Sequence, residues 1–336
     1  MTTKMTRRAF ASMALAAPLV IRSGTRLSAQ TLREINYITP YGNSTVYAPD
    51  YVAITNGYFE EQGLKVNLIP GNGSSASVQQ LLAGQVQIAR TGGLDLIAAL
   101  STGNAPIRAF GTIAHTSTWW IISGADAPIE TPEDFRGKTI GIVSAGGGSE
   151  KVIDILLAGA GVPKDEVTFQ VVGNSPGSMD LIEMGRLDGF IGDMSVWAPL
   201  NDRGAAMHAM SLDPYMDVPG QVYFTTNEML ETDPDVCLAY MRAVKKAVQV
   251  IEADETGAAS IEAMMPFAFP ELDTPEAATL TLQAEKELWV ARGDEGIGKI
   301  YPEAFAKGWE QMAAANLSDP DMDPSVAYTT AISDQL

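Results

Sequence analysis

The sequence predicts an α/β protein of two lobes, each built on a mixed, mostly parallel sheet flanked by helices. Three observations lead there. Short apolar-alternating runs recur with helical segments between them, at residues 35–38, 65–69, 85–89 and 107–114. Such strand–helix–strand spacing implies parallel strands joined by right-handed crossovers. The alternation then starts afresh at the pair Trp119-Trp120, with strands expected at 119–123, 139–143, 168–172, 189–191 and 207–211. The length points the same way: 336 residues, 307 without the first 29, exceed the ~250–300 at which one core usually divides. The expected organisation is an export signal over 1–29, the first part of lobe I over 30–118, lobe II over 119–220, and a return to lobe I over 221–336.

At the N-terminus, Thr6-Arg7-Arg8-Ala9-Phe10 precedes a modest apolar run over 9–21 and a small-residue exit at Ser28-Ala29. A charged start, a short apolar run and a small-residue cleavage site make a secretory signal, and the arginine pair before Phe10 suggests twin-arginine export. The run falls short of the ~20 residues a membrane span needs, so no stable membrane insertion is expected. Removing it takes away Lys4, Arg7, Arg8, Arg22 and Arg26 and no acid, which leaves 17 basic against 41 acidic residues and a net charge of −24. So acidic a chain repels nucleic acid and anionic lipid, which bind by phosphate neutralisation. Cys237 is the only cysteine. No internal disulfide can form, no lipid-anchoring cysteine follows the signal, and Cys237 itself reads as a small core residue of a helix. A free, soluble, exported protein is the expectation.

In the first lobe, the strand at 35–38 runs into Tyr41, Gly42 and Asn43, and a helix is expected over 47–62, with Pro49 tolerated in its first turn. The strand at 65–69 ends at Gly71-Asn72-Gly73-Ser74-Ser75, which opens a helix, and the strand at 85–89 ends at Arg90-Thr91-Gly92-Gly93, which opens another. In an open α/β sheet these carboxyl ends of strands are where ligands bind, and small polar residues let backbone N–H groups face them. Tyr41, Asn43, Ser74, Ser75, Arg90 and Thr91 are therefore candidate contacts. A guanidinium at such a strand end can hold a carboxylate or sulfonate through two parallel N–H bonds, or can pair with Asp95 or another carboxylate to hold the lobe.

Lobe II repeats the logic. Ser144-Ala145-Gly146-Gly147-Gly148-Ser149 follows its first βα strand and opens a helix, whose free amides suit an anionic group. Ser144, Gly147, Ser149, Ser175, Asp193 and Trp197 are its candidate contacts, with Trp119 at the crossover. Trp119 and Trp120 alternate across a strand, so only one faces the cleft. A strand at 221–226 returns the chain to lobe I, and a helical region broken at Pro234, Pro266, Pro270 and Pro302 completes and braces that lobe before a polar tail.

Several motifs suggest other chemistry and fail on particular residues. Gly71-x-Gly73-x-x-Ala76 matches a dinucleotide fingerprint, with Asp95 near the ribose-binding offset, but it follows the second strand rather than the first. Gly173-Asn174-Ser175-Pro176-Gly177 matches a nucleophile elbow, yet Pro176 lacks the N–H an oxyanion hole would take from that position. His115 and His208 lie too far apart in sequence for a metal pair. Asp319-Pro320-Asp321-Met322-Asp323 starts like a calcium loop, but Pro324 and Thr330 stand where Gly and Glu are needed. No metal, no cofactor and no catalytic residue are expected, and the chain is read as no enzyme.

Asn56-Gly57-Tyr58-Phe59-Glu60-Glu61-Gln62-Gly63-Leu64-Lys65-Val66 resembles the solute-binding proteins of ABC importers, in the group that takes nitrate, taurine, aliphatic sulfonates and thiamine pyrimidines. Gln79-Gln80-Leu81-Leu82-Ala83-Gly84, Asp134-Phe135-Arg136-Gly137-Lys138-Thr139-Ile140-Gly141 and Gly185-Arg186-Leu187-Asp188-Gly189-Phe190-Ile191 fit the same pattern, and the resemblance spans about residues 35–250. It implies a monomeric periplasmic protein with a type II periplasmic-binding-protein fold, hinge closure on a small organic ligand, and delivery to an ABC permease. The ligand expected is anionic, a carboxylate or sulfonate, with room for a ring or a nitrogen. The family usually has a small residue where Arg90 stands, which weakens any transfer of a relative's ligand. An exported enzyme or a sensor's ligand-binding protein on the same scaffold is the alternative.

Overall fold

The computed structural model describes residues 31–103, 105–216 and 218–336; the export signal expected over 1–29 lies outside the described residues. In chain order the strands are β1 (Arg33–Ile38), β2 (Leu64–Ile69), β3 (Ile88–Gly92), β4 (Ile107–Ala114), β5 (Trp119–Gly124), β6 (Thr139–Ile142), β7 (Thr168–Val171), β8 (Gly189–Asp193), β9 (Met207–Ser211) and β10 (Gln221–Thr226). They form two five-stranded sheets, β2-β1-β3-β10-β4 and β7-β6-β8-β5-β9. Each sheet has one reversed strand beside its parallel set. β1 pairs parallel with β2 and β3 while β10 is antiparallel to β3 and β4; β6 pairs parallel with β7 and β8 while β5 is antiparallel to β8 and β9. The reason is connectivity. The parallel strands run toward the space between the lobes, whereas β5 and β10 enter directly from the opposite lobe and so run away from it.

The helices are α1 (Ala48–Thr55), α2 (Tyr58–Glu61), α3 (Ser74–Leu82), α4 (Gly93–Gly103), α5 (Gly148–Ala160), α6 (Met179–Glu183), α7 (Met194–Asp202), α8 (Asn227–Thr232), α9 (Pro234–Ala253), α10 (Ala258–Met264), α11 (Pro275–Trp289) and α12 (Pro302–Ala314). The single helix expected over 47–62 is two. Gly57, at φ +74°, turns the chain through the left-handed region between α1 and α2, which glycine adopts without a Cβ clash.

One face of the first sheet packs on α1, α9 and α11 through Tyr37, Tyr51, Tyr240, Val244 and Trp289. On α9 the buried positions 237, 240, 241, 244, 247, 248 and 251 make one helical stripe, and Cys237 lies in it as a core residue, its thiol pushed up to about 12 chiefly by burial. The opposite face belongs to a cluster that runs on from Ile38, Leu96 and Phe224 of lobe I to Ile121, Ile140 and Ile153 of lobe II. α12 lies across this seam, packed against α4 and α5, and buries Phe305, Trp309 and Met312 there. A continuous apolar seam thus holds the lobes together on one side of the space their strands point into.

The strand expected at 85–89 is displaced. β3 begins at Ile88 and runs to Gly92, so Arg90 is an interior strand residue and not a strand end. With the two-residue alternation of a strand, Arg90 shares the face of Ile88, which is the face covered by α1 and α9.

Candidate functional site

The loops after β1, β2, β3 and β6 and the two crossing segments enclose a narrow cleft with a cavity of about 50 Å³, partly open to solvent. Tyr41, Ser74, Asp95, Trp119, Gly148, Met216 and Gln221 line it. Asp95 lies in the first turn of α4, where the helix N-terminus favours an acid. Its carboxylate accepts the Ser74 hydroxyl at 2.8 Å and, from lobe II, the Lys151 ammonium at 2.7 Å. Lys151 also donates to the Gly146 carbonyl at 3.0 Å, so the ion pair ties α4 to the N-terminus of α5 across the lobes. Glycine makes this approach possible. A Cβ on Gly148 would stand 3.0 Å from Asp95 Oδ2, and one on Gly93 would stand 2.3 Å from the Pro219 carbonyl oxygen.

Tyr41 is half-buried at the mouth of this arrangement. Burial, then the Asp95 charge, raise its phenol above the ordinary range against the Ser74 and Ser144 hydroxyls, so it stays a neutral donor. Trp119 turns into the cleft, while Trp120 turns to the opposite face of β5 and stacks on Trp197, ring centroids 4.7 Å apart and planes 12° from parallel. Asp193 caps α7: it accepts the Ser195 N–H at 2.9 Å and the Ser195 hydroxyl at 2.6 Å.

Other sequence-predicted residues are placed elsewhere or already engaged. Asn43 donates to the Phe267 carbonyl at 3.4 Å and accepts the Tyr51 hydroxyl at 3.2 Å, so both ends of its amide hold lobe I together. Ser75 is exposed on an outer groove beside α3. Ser149 is buried and accepts the Val143 N–H at 3.1 Å, which fixes the loop that carries Ser144 and Gly147. Ser175 is exposed and accepts the Gly177 N–H at 3.2 Å, a capping role. Thr91 is buried in β3, its hydroxyl without a partner among the described residues.

Arg90 requires a correction. It is fully buried, and its guanidinium faces Asp50 at 3.4 Å, the Val46 carbonyl at 3.1 Å and Gln221 Oε1 at 2.6 Å, over the rings of Tyr47 and Tyr223. Asp50, equally buried, also accepts the hydroxyls of Tyr37, Tyr223 and Tyr240 at 2.8–3.1 Å. Burial raises the Asp50 carboxyl, opposed by Arg90 and these hydroxyls; with donors only around it, Asp50 is the acceptor of the cluster. The guanidinium lies under the sheet because β3 extends three residues beyond the strand the sequence suggested. Of the two readings of Arg90, the pairing with a carboxylate that holds the lobe is the one present, with Asp50 as the carboxylate; Asp95 is taken by Lys151.

Sequence reasoning missed Lys151, Asp50 and Glu285. The last two had a signal. Asp50 is a lone acid within the buried start of α1, and Glu285 falls on the buried stripe of α11 that also carries Ala278, Thr281, Leu282 and Trp289.

A family profile described as NMT1/THI5 like matches residues 44–258, more than half of the chain. The chain belongs to the NMT1/THI5-like family. Among curated relatives of this NMT1/THI5-like chain, the 4-amino-5-hydroxymethyl-2-methylpyrimidine phosphate synthase of Aspergillus parasiticus is 26% identical over 241 residues, 67% of this chain and 68% of that one. The formylaminopyrimidine-binding protein of Halalkalibacterium halodurans is 24% identical over 171 residues, and the chain spans about half of its length (51%). Among solved structures, the periplasmic aliphatic sulphonate binding protein SsuA of Escherichia coli superposes with a TM-score of 0.68 at 13% identity, over 89% of this chain and 92% of that one. That likeness establishes the two-lobed periplasmic-binding-protein fold. The expectation that the chain is no enzyme is corrected by the relatives: three of them carry the same synthase name. The family contains enzymes as well as binding proteins, and membership does not exclude catalysis.

Proposed function

We propose that this protein captures a small, flat, nitrogen-bearing organic solute between its lobes in the periplasm and delivers it to an ABC permease. One observation carries the reading: a cleft at the strand ends in which Trp119 and Tyr41 supply ring faces and an ion pair, Lys151 to Asp95, joins lobe to lobe. A ligand seated there touches both lobes, so it shifts the population toward the closed form that a permease can recognise. The crossing segments before β5 and before β10 are the hinge of that closure. The anionic ligand suggested by the sequence rested on Arg90, which is committed to Asp50 and Gln221. Ring faces and the Asp95 carboxylate favour a neutral or weakly basic heterocycle instead. The relatives' names agree, since one is a formylaminopyrimidine-binding protein and another a riboflavin-binding protein.

A thermal-shift screen of the protein from Gln30 onward against pyrimidines, flavins, sulfonates, nitrate and carboxylates tests the reading. A ligand at a hundred times its dissociation constant adds about 2.7 kcal/mol of stability, enough to raise the melting temperature by a few degrees. The expected result is a shift by flat nitrogen heterocycles and none by nitrate or simple sulfonates. A shift by sulfonates alone contradicts it. A second reading, an enzyme acting on such a heterocycle in the same cleft, is favoured by the synthase relatives; recovery of the bound compound in altered form establishes it.

A further inference from the structure

The lobes meet on both faces of β5. Trp119 packs with the apolar seam under α12. Trp120 turns the other way, stacks on Trp197 of α7 and packs with it on the core of lobe I, where α7 lies against α11 and the turn Thr45–Tyr47. This second contact buries polar atoms that it does not satisfy. Glu285 of α11 is only 1% exposed, and its Oε1 has no hydrogen-bond partner among the described residues. Trp289, one helical turn further on the same face, holds its indole Nε1 near that carboxyl without closing a hydrogen bond. Trp120 Nε1 and Thr45 Oγ1 are buried without partners among the described residues as well. Native interiors satisfy nearly all such atoms, and each one left unpaired disfavours the buried state until water reaches it. A contact assembled in this way is poised to open.

We propose that the contact between α7 and α11 is a proton-operated latch: Glu285 keeps it shut while protonated, and ionisation of the carboxyl, its proton passing to water, lets α7 swing away from α11. Asp193 at the start of α7, Arg90 of β3 and Glu271 in the turn 270–273 are the charged groups that face Glu285. Lys286, its neighbour on α11, turns away to the Asp254 carbonyl. Asp193 belongs to the other lobe, so shutting the contact brings two carboxyls together and strips water from one of them. Burial, then Asp193, push the Glu285 carboxyl up to about 8, against the pull of Arg90. In the open form water returns it toward the ordinary value of about 4.3. The shut form therefore holds the extra proton. Its advantage is full below about pH 4.3, falls about tenfold per pH unit above that, and is gone by about pH 8. The latch works with the cleft empty or filled, and it makes closure of the lobes at this contact take up a proton.

The indole N–H groups of Trp289 and Trp120 report the latch, since a buried N–H exchanges with solvent only when the contact over it opens. Their exchange is followed by NMR in the 15N-labelled protein from about pH 5 to about pH 9 and corrected for the pH dependence of free indole. In wild type the protection of Trp289 should fall about tenfold per pH unit up to about pH 8 and level off beyond it, and Trp120 should follow. Glu285→Gln carries no titrating proton, so its profile should be flat across the range. The Tyr37 and Ile38 amides of β1, paired on both sides within the lobe I sheet, report unfolding of the whole protein and should stay better protected than Trp289 at every pH. A flat wild-type profile overturns the inference, as does a Glu285→Gln profile as steep as that of wild type. Protection of Trp289 equal to that of the β1 amides overturns it too, because the contact then opens only with the whole fold. Should Glu285→Gln fail to fold, Asp193→Asn decides: without the facing carboxylate the levelling point should move to lower pH, and a point that stays in place overturns the inference.

Discussion

Asp50 and Glu285 are both acids of lobe I with almost no exposed surface, and they differ in what surrounds them. Asp50 accepts three tyrosine hydroxyls and faces the Arg90 guanidinium, every one from lobe I. Glu285 keeps an unpaired oxygen and faces Asp193 across the lobe boundary. Burial is equal, so burial does not separate structure from function. The separation lies in the partners: a closed polar network specifies one packing of a core, whereas the Glu285 carboxyl meets the other lobe with one oxygen unpaired among the described residues. Arg90 belongs to the first kind, although a cation near a cleft invites the second reading.

The sharpest way to break this comparison is at Arg90. Arg90→Met leaves the Asp50 charge buried without its counter-ion and should cost about 3–5 kcal/mol in urea unfolding. A loss under about 1 kcal/mol contradicts the structural role.

Glu285→Gln should have a pH-dependent effect. The Glu285 carboxyl is about 8 in the fold against about 4.3 in an unfolded chain. The folded state therefore holds the extra proton, and its contribution, full at low pH, is lost as pH rises from about 4.3 to about 8. His115 works oppositely. Burial lowers it to about 4, against the Gly296 carbonyl that it bonds, so its contribution is lost as pH falls from about 6.5 to about 4. Above about pH 6.5 the Glu285 effect stands clear of it. Glu285→Gln should gain about 2 kcal/mol on wild type between pH 6.5 and 8, at about 1.4 kcal/mol per unit, measured by urea unfolding at each pH. A constant difference removes the buried proton from the picture.

Smaller effects belong to closure. Gly148→Ala places a methyl 3.0 Å from Asp95 Oδ2 and should cost about 1–2 kcal/mol by overpacking, with weaker ligand binding because the lobes no longer meet. Lys151→Met removes a mostly buried ion pair and leaves Asp95 with the Ser74 hydroxyl, a loss of about 2 kcal/mol. Small-angle scattering should show a larger radius of gyration for the unliganded variant, and an unchanged radius means the apolar seam under α12 suffices to hold the lobes.

Local patterns made most of the fold legible. β4, β9 and β10 fall where their alternation puts them, because neighbouring residues carry that signal. β3 was displaced because Gln85-Val86-Gln87 alternates like a strand and Arg90-Thr91-Gly92 looks like a polar turn. What makes Arg90 a strand-interior residue is Asp50 on α1 and Tyr223 on β10, and no local pattern contains them. The cleft was legible as a set of strand ends, which is why Tyr41, Ser74 and Trp119 converge there. Lys151 and Glu285 were not, since each acquires its meaning from an element far away in sequence. Periodicity puts Glu285 on a buried face; only the assembled lobes bring Asp193 opposite it.

The most direct measurement is the titration of Glu285 itself, followed by the 13C shift of its carboxyl carbon and assigned through its absence in Glu285→Gln. The midpoint should lie near 8. A midpoint in the ordinary carboxylate range, near 4, would contradict the account of Glu285 as a buried carboxyl that keeps its proton at the lobe boundary.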